Sequence, residues 1–236
     1  MTDWQALPYM DNEKKYLQEE IRKEFQLERM VLFSDAVFAI IITLMAIEIQ
    51  LPEHVRFTSD RQFLHELFHT LPYIIAYAVS FVYIGITWYQ HLQMFSLLKD
   101  YDKGLVVRNL IMLFFLGLLP FSVSLVTRPS DTILNAAFYF SIIFLSRAAQ
   151  LVLQHYILIK RPQLRINADI HHEMLRFKKS RSAISGLFVV FVLVVTTYSL
   201  ISSPEMKNLA WWWFVPFPFL NNYFSKKIEK KNPVPH

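Results

Sequence analysis

Long apolar runs alternate with charged segments along the chain. Six runs approach the ~20 residues that an α-helix needs to cross ~30 Å of hydrocarbon. They cover roughly residues 33–51, 71–93, 105–126, 133–158, 184–202 and 209–224. This pattern predicts an all-α membrane protein with six transmembrane helices. The sixth run is short and contains Pro216 and Pro218, so we expect that helix to be kinked, tilted or only partly inserted.

The polar segments outside these runs divide the chain into three predicted parts. Residues 1–32 form a cytoplasmic amphipathic segment, residues 33–224 the transmembrane domain, and residues 225–236 a basic cytoplasmic tail. Four apolar residues of the first part recur at near-helical spacing, namely Leu17, Ile21, Phe25 and Met30. The first run lacks a small-residue cleavage site, so we expect it to remain as a span and not to be removed as a signal peptide.

Composition and charge agree with membrane insertion. Of 236 residues, 54% are hydrophobic and 18% are charged, an unusual mixture for a soluble domain. If the N-terminus is cytoplasmic, nineteen lysines and arginines lie on the cytoplasmic side and four lie on the opposite side. The positive-inside rule therefore predicts that both termini are cytoplasmic. This topology accounts for the net charge of +5, so no nucleic-acid partner is predicted.

No arrangement of catalytic or cofactor-binding residues stands out, so we predict that the protein is not an enzyme and has no cofactor. The chain has four glycines and no cysteine, and it lacks a phosphate-binding loop, a nucleophile elbow and a helical HExxH. His171, His172 and Glu173 are interpreted as a solvated loop, because adjacent imidazoles point in different directions. The tryptophans at 211–213 are interpreted as an aromatic belt at the membrane interface.

Arg147 lies near the middle of the fourth run. An unpaired guanidinium at that depth costs several kcal/mol. It therefore needs a buried polar partner or a hydrated neighbourhood, or its side chain must extend along the helix toward the cytoplasmic interface. The sequence leaves these alternatives open, and the role of this intramembrane charge is unassigned.

The first run raises a separate question, because an acid lies near the start of a membrane helix. At about 100° per residue, one face of this helix carries Ile40, Thr43, Leu44 and Ile47. Asp35 lies some 130° from the centre of that face. A buried carboxylate needs donors, so we predict a polar brace and not an ion ligand. The candidate donors are Arg29, just before this run, and Trp88, His91 and Asn109 in the next two runs. Together with Phe33, Ser34 and Asp35 they form the predicted structural polar network.

Three motifs in the first three runs resemble a known family. Arg29, Phe33, Ser34 and Asp35 form RxxxFSD, which precedes the helix AVFAIIITL. WYQHLQMF ends the second run, and RNLIMLFFLGLLPFSVSL forms the third. Together they closely resemble the transmembrane protein 175 family of potassium channels, in the single-repeat form found in prokaryotes. The later runs resemble that family only in their number.

The resemblance implies a homotetramer in which the first helix of each subunit lines a central pore. It also implies that Ile40 narrows the pore, that the Thr43 hydroxyl favours potassium, and that Leu44 and Ile47 continue the constriction. A ring of aliphatic side chains cannot replace the hydration shell of an ion, so such a ring gates by dewetting. The implied partners are potassium ions, other copies of the chain and the lipid bilayer. The implied location is the cell membrane of a prokaryote, with no metal beyond transient potassium.

Two functions of other classes remain as alternatives. A secondary or proton-coupled transporter would use Asp35 and Arg147 as an intramembrane charge pair. Transporters tend to contain internal repeats and helices broken at mid-depth, and the chain has only the break at Pro216 and Pro218. A scaffold that conducts nothing is the third reading.

Overall fold

The computed structural model describes residues 7–47, 59–127, 134–166, 170–201 and 217–231. Within these ranges the chain is almost entirely helical, which confirms the all-α prediction. The helices are α1 (Leu7–Ile47), α2 (Asp60–Phe95), α3 (Lys103–Gly117), α4 (Leu119–Thr127), α5 (Leu134–His155), α6 (His171–Leu200) and α7 (Phe217–Lys231). A π-helical turn, Tyr156–Lys160, continues α5, and a short 3-10 helix, Pro162–Leu164, follows it.

Four of the described segments are long and apolar enough to cross a membrane. They are Glu13–Ile47, Lys103–Leu125, Leu134–Lys160 and His171–Leu200. The second predicted run, 71–93, lies within α2. The sixth run, 209–224, lies outside the described residues up to 216, and its remainder starts α7. The tryptophans at 211–213 also lie outside the described residues.

The helix boundaries differ from the apolar runs in several places, and α2 already begins at Asp60, eleven residues before the predicted run. The first helix begins at Leu7 and continues through the predicted boundary at 32–33 without a break. The third run is divided at Leu118, because Pro120 lacks the N–H that would continue the hydrogen-bond ladder of α3. The polar connection after α5 is shorter than predicted, since α6 already begins at His171. His171, His172 and Glu173, which were expected in a loop, therefore occupy the first turn of α6.

The hydrophobic core lies between α1 and the helices α2 to α5. From α1, Phe38, Ile41 and Met45 are buried in it. Their spacing of three and four residues places them on one side of the helix, so a single stripe of α1 faces the rest of the subunit. Helix α5 packs against α3 and α4 and also against α6, while α7 packs against α6.

Two connections close one end of the bundle. The residues after α2 pair with those after α5 through an isolated antiparallel bridge between Leu98 and Arg165. Asp102 caps α3, since its Oδ1 accepts from the Leu105 N–H at 2.7 Å, and its Oδ2 accepts from the Tyr156 hydroxyl at 2.7 Å. Burial by itself raises the pKa of Asp102, but these hydrogen bonds and the nearby arginines outweigh it and hold that pKa below its usual value.

Candidate functional site

A chain of buried hydrogen bonds joins the first three helices. Ser34 on α1 donates from Oγ to the Met30 carbonyl at 2.9 Å. Asn109 on α3 donates from Nδ2 to Ser34 Oγ at 2.8 Å. The Asn109 Oδ1 lies 2.9 Å from His91 Nε2 on α2. Ser34, His91 and Asn109 are all buried, so this chain brings together three of the residues that the sequence predicted for the brace.

The direction of each hydrogen bond in this chain follows from its end at Met30. The Ser34 hydroxyl donates its only proton to the Met30 carbonyl, so Ser34 Oγ must act as the acceptor for the Asn109 amide nitrogen. That orientation turns the Asn109 amide oxygen toward His91, and His91 must then carry its proton on Nε2. The His91 ring also stacks on Phe95, with centroids 4.0 Å apart. The imidazole is therefore fixed both in its tautomer and in its orientation.

A second contact ties the predicted membrane-spanning part of α1 to α2. The Trp88 indole Nε1 donates to Asp35 Oδ1 at 2.8 Å. A hydrogen bond to a carboxylate is stronger than one between neutral groups, so this contact supports the predicted bracing role of Asp35. Arg29 and Phe33 are not brought into either network among the described contacts. The Arg29 guanidinium lies 5.8 Å from the centroid of the Phe25 ring, and Phe33 is exposed.

The opposite side of α1 remains uncovered in the single chain. Ile40, Leu44 and Ile47 are 55%, 45% and 66% exposed, and Thr43 is also exposed. This side lies about 140° around the helix from the buried stripe of Phe38, Ile41 and Met45. The polar anchor thus holds one face of α1 against the subunit and leaves the face of Ile40 free.

Arg147 has specific polar partners on three helices. Its Nη1 donates to Gln90 Oε1 on α2 at 2.9 Å and to Gln150 Oε1 on α5 at 2.6 Å. Its Nη2 donates to Ser180 Oγ on α6 at 3.1 Å. Sequence reasoning missed these partners, although Gln90 and Gln150 are uncharged polar residues at the end of one apolar run and inside another. No carboxylate joins Arg147 in the described part of the chain.

A small polar cavity lies beside this cluster. Its volume is about 20 Å³, which is room for one or two waters. The side chains that line it are Gln90, Gln93, Gln154, Glu173, Arg176 and Ser180. Within the described residues, the buried Gln154 Oε1 has no protein donor, so a water in the cavity would satisfy it. Of the three environments left open above, Arg147 therefore has the buried polar partners, and two of these partners, Gln90 and Ser180, also line the cavity.

Asp35 and Arg147 are bonded to different groups, Asp35 to Trp88 and Arg147 to two glutamines and a serine. They do not form the charge pair on which the transporter alternative depended. The histidines at 171 and 172 also give no metal centre, since the described residues contain no cluster of three or more His, Cys, Asp or Glu.

We expect Arg147→Lys to lower the melting temperature of the purified protein by several degrees. An ammonium is a point charge that cannot reach Gln90, Gln150 and Ser180 together, whereas the planar guanidinium does so with two nitrogens. Arg181→Lys on the exposed surface of α6 is the matched control and should leave the melting temperature unchanged. Equal melting temperatures for both variants would show that the three contacts do not stabilise the bundle.

The region that contains the hydrogen bonds between α1, α2 and α3 is similar to known proteins. Residues 29–120 match a family model described as the endosomal/lysosomal potassium channel TMEM175. That segment contains every predicted brace residue and the whole Ile40 face. A potassium channel of Chryseobacterium sp. strain P1-3 is 29% identical over 203 residues, which cover 86% of this chain and 95% of that relative.

Two further comparisons extend the relationship. The human endosomal/lysosomal proton channel TMEM175 is 27% identical over 143 residues, and the match spans 57% of this chain but only 28% of the human protein. A crystal structure of a TMEM175 homologue from Chamaesiphon minutus, described as a lysosomal potassium-selective channel homologue, superposes with a TM-score of 0.63. That match covers 86% of this chain and 98% of the other at 22% identity, so it establishes a shared fold.

Proposed function

We propose that this chain is a member of the TMEM175 family, whose model residues 29–120 match, and that it is a potassium-permeable channel that conducts passively across the cell membrane. In this proposal four copies surround a central pore, both termini are cytoplasmic, and α1 of each copy lines the pore. The relative from Chryseobacterium, which is named a potassium channel and aligns over nearly its full length, supports potassium as the permeant ion.

The observation that carries the proposal is the division of α1 into two faces. The buried stripe of Phe38, Ile41 and Met45 anchors the helix to its own subunit. The face of Ile40, Thr43, Leu44 and Ile47 is exposed in the single chain, although it adjoins a buried polar anchor. An exposed apolar face on a membrane helix is by itself compatible with lipid contact. The match to the TMEM175 family model and the adjacent RxxxFSD motif favour a pore lining instead.

The Thr43 hydroxyl is suited to face a cation. Its Oγ1 lies 3.1 Å from the Ala39 carbonyl and 2.9 Å from the Ile40 carbonyl of its own helix, and it donates to them. Because the proton is turned back to the backbone, the oxygen lone pairs are directed away from it. We propose that a layer of these hydroxyls contacts partly dehydrated potassium next to the Ile40 constriction. A single hydroxyl layer replaces few hydration waters, so the selectivity should be modest.

Single-channel recording in asymmetric potassium and sodium tests the function. We expect discrete unitary currents with a reversal potential displaced toward that of potassium. Saturable flux with counterflow and no unitary currents would instead identify a transporter. An inactive protein that still folds and assembles would support the scaffold reading.

Proton permeation is the second candidate, because the human relative that shares the α1 region is named a proton channel. A pH-sensitive dye inside vesicles separates the two ions. Acidification driven by a proton gradient, with no potassium current under matched conditions, would favour protons.

A further inference from the structure

The N-terminal part of α1 cannot lie flat on a membrane that the rest of α1 crosses. Helix α1 is one uninterrupted helix of 41 residues, Leu7–Ile47, and is therefore about 60 Å long. The hydrocarbon core is only ~30 Å thick. If residues 33–47 cross the membrane, the segment from 13 to 29 must project beyond it into water.

This projecting segment has an exposed apolar edge. Leu17, Ile21 and Phe25 are 54%, 59% and 55% exposed, and they recur every four residues along one side. Exposed apolar side chains at single positions are common, but a continuous stripe on a helix in water indicates a partner that covers it. The subunit itself is not that partner, because another side of the helix faces it. On that side Lys23 pairs with Asp100 at 3.2 Å, and Leu27 packs on the core.

The charges of the segment are separated into two sides. Four of the five glutamates, Glu13, Glu20, Glu24 and Glu28, lie within about 80° of one another on the helix wheel. Glu24 lies next to the apolar edge, and Glu28 lies within its arc. Lys15 and Arg22 lie on the other side, about 175° from the centre of the glutamates, with Gln26 next to them. Lys14 and Glu19 are the exceptions.

We propose that the apolar edge of each α1 extension packs against the Lys15 and Arg22 edge of the α1 extension in a second copy of this chain. Such a head-to-tail contact uses two different surfaces and closes into a ring. Viewed down the helix, the direction halfway between the apolar edge and the Lys15 and Arg22 edge lies within about 50° of the direction in which Ile40 points. A ring of copies in which Ile40 faces the central axis therefore places the apolar edge of each copy beside the Lys15 and Arg22 edge of the next. The inference rests on the proposed assembly of several copies and adds a cytoplasmic contact to it.

The charges favour this partner over others. Glu24 beside the apolar edge differs by only about 3 Å in height from Arg22 of the neighbour, so the contact brings opposite signs together. The long stems of lysine and arginine can also cover the apolar side chains while their charged ends reach the glutamates. A second copy supplies both features at the required height, because the same helix carries both edges.

Cysteine cross-linking tests the contact directly, since the natural chain contains no cysteine. The probe variant carries Phe25→Cys and Gln26→Cys, one on each edge at nearly the same height, and is oxidised in the membrane. A head-to-tail ring should give a ladder of covalent species up to the full ring. Neighbouring positions in a helix point about 100° apart and do not form a disulfide with each other. The single variants should give no ladder, because the contact does not bring identical positions together.

Two further variants make the result decisive. A Tyr16→Cys, Glu20→Cys control places both cysteines at least about 60° around the helix from either edge and should give no ladder. Adding Arg22→Glu to the probe should reduce the ladder several-fold, and adding Glu24→Lys as well should restore it. Potassium flux is measured on the same samples. Absence of the ladder in a protein that still conducts would overturn this contact and leave the channel proposal intact. A ladder without flux would support the contact and count against the pore.

Discussion

Replacing Ile40 with asparagine is expected to raise potassium flux through vesicles by at least about tenfold. Ile40 is exposed on the free face of α1, where we propose that its side chains form the narrowest ring of the pore. An aliphatic ring excludes water, and an ion that passes it must shed hydration with nothing in exchange. Asparagine offers an amide oxygen and holds water in the ring. A reduction of the barrier by about 1.4 kcal/mol already corresponds to a factor of ten.

The matched control is Ile86→Asn, the same substitution at an isoleucine of α2 that is 51% exposed. That position is not proposed to line the pore, so its flux should equal that of the parent. The measurement is potassium efflux from loaded vesicles together with the reversal potential. If Ile40→Asn matches the parent in both quantities, Ile40 is not at the constriction. If both variants leak equally, the leak reflects damaged packing and not the pore.

Replacing Asn109 with leucine is expected to lower the free energy of unfolding by about 2–4 kcal/mol. Asn109 makes the two hydrogen bonds of this buried network that connect different helices, to Ser34 on α1 and to His91 on α2. Leucine has a similar volume but leaves the His91 Nε2–H as a buried donor without an acceptor. The cost therefore includes the desolvation of that group as well as the lost bonds. A decrease of about 5–10 °C in the melting temperature should accompany it.

Asn135→Leu is the control for this prediction. Among the described residues, the Asn135 side chain makes one hydrogen bond, from Nδ2 to the Leu125 carbonyl at 2.9 Å, and Asn135 is only partly buried. We expect a loss of about 1 kcal/mol there. Thermal unfolding in detergent, followed by tryptophan fluorescence, compares the two variants. If Asn109→Leu and Asn135→Leu destabilise the protein equally, the buried hydrogen bonds of Asn109 have no special role in anchoring α1.

The brace could be predicted from sequence because polar groups inside apolar runs are costly unless they find partners. Ser34, Asp35, Trp88, His91 and Asn109 were recognisable for that reason. The pairing among them was not predictable. The acid bonds to the indole, while the serine, the amide and the imidazole form a separate chain. Arg29, the expected partner of Asp35, joins neither network.

Arg147 shows the limit of the same reasoning. Its need for a polar neighbourhood follows from one residue and its depth in an apolar run. Its partners come from α2, α5 and α6, which are far apart in sequence. Which glutamine or serine reaches the guanidinium depends on the angles and positions at which those helices pack against one another. The spacing of apolar residues along the sequence does not determine these angles and positions. The cavity beside it has the same origin, because it lies between side chains of separate helices.

The sequence by itself determined the helical class, most of the apolar segments, the family motif and the residues of the α1 face, because each of these depends on local composition and helical period. Only the tertiary structure decided which side of α1 is buried, how the polar groups pair and that α1 runs unbroken from Leu7 to Ile47. These features depend on contacts between distant segments. Burial, hydrogen-bond direction and the course of a long helix are fixed only when the other helices are in place.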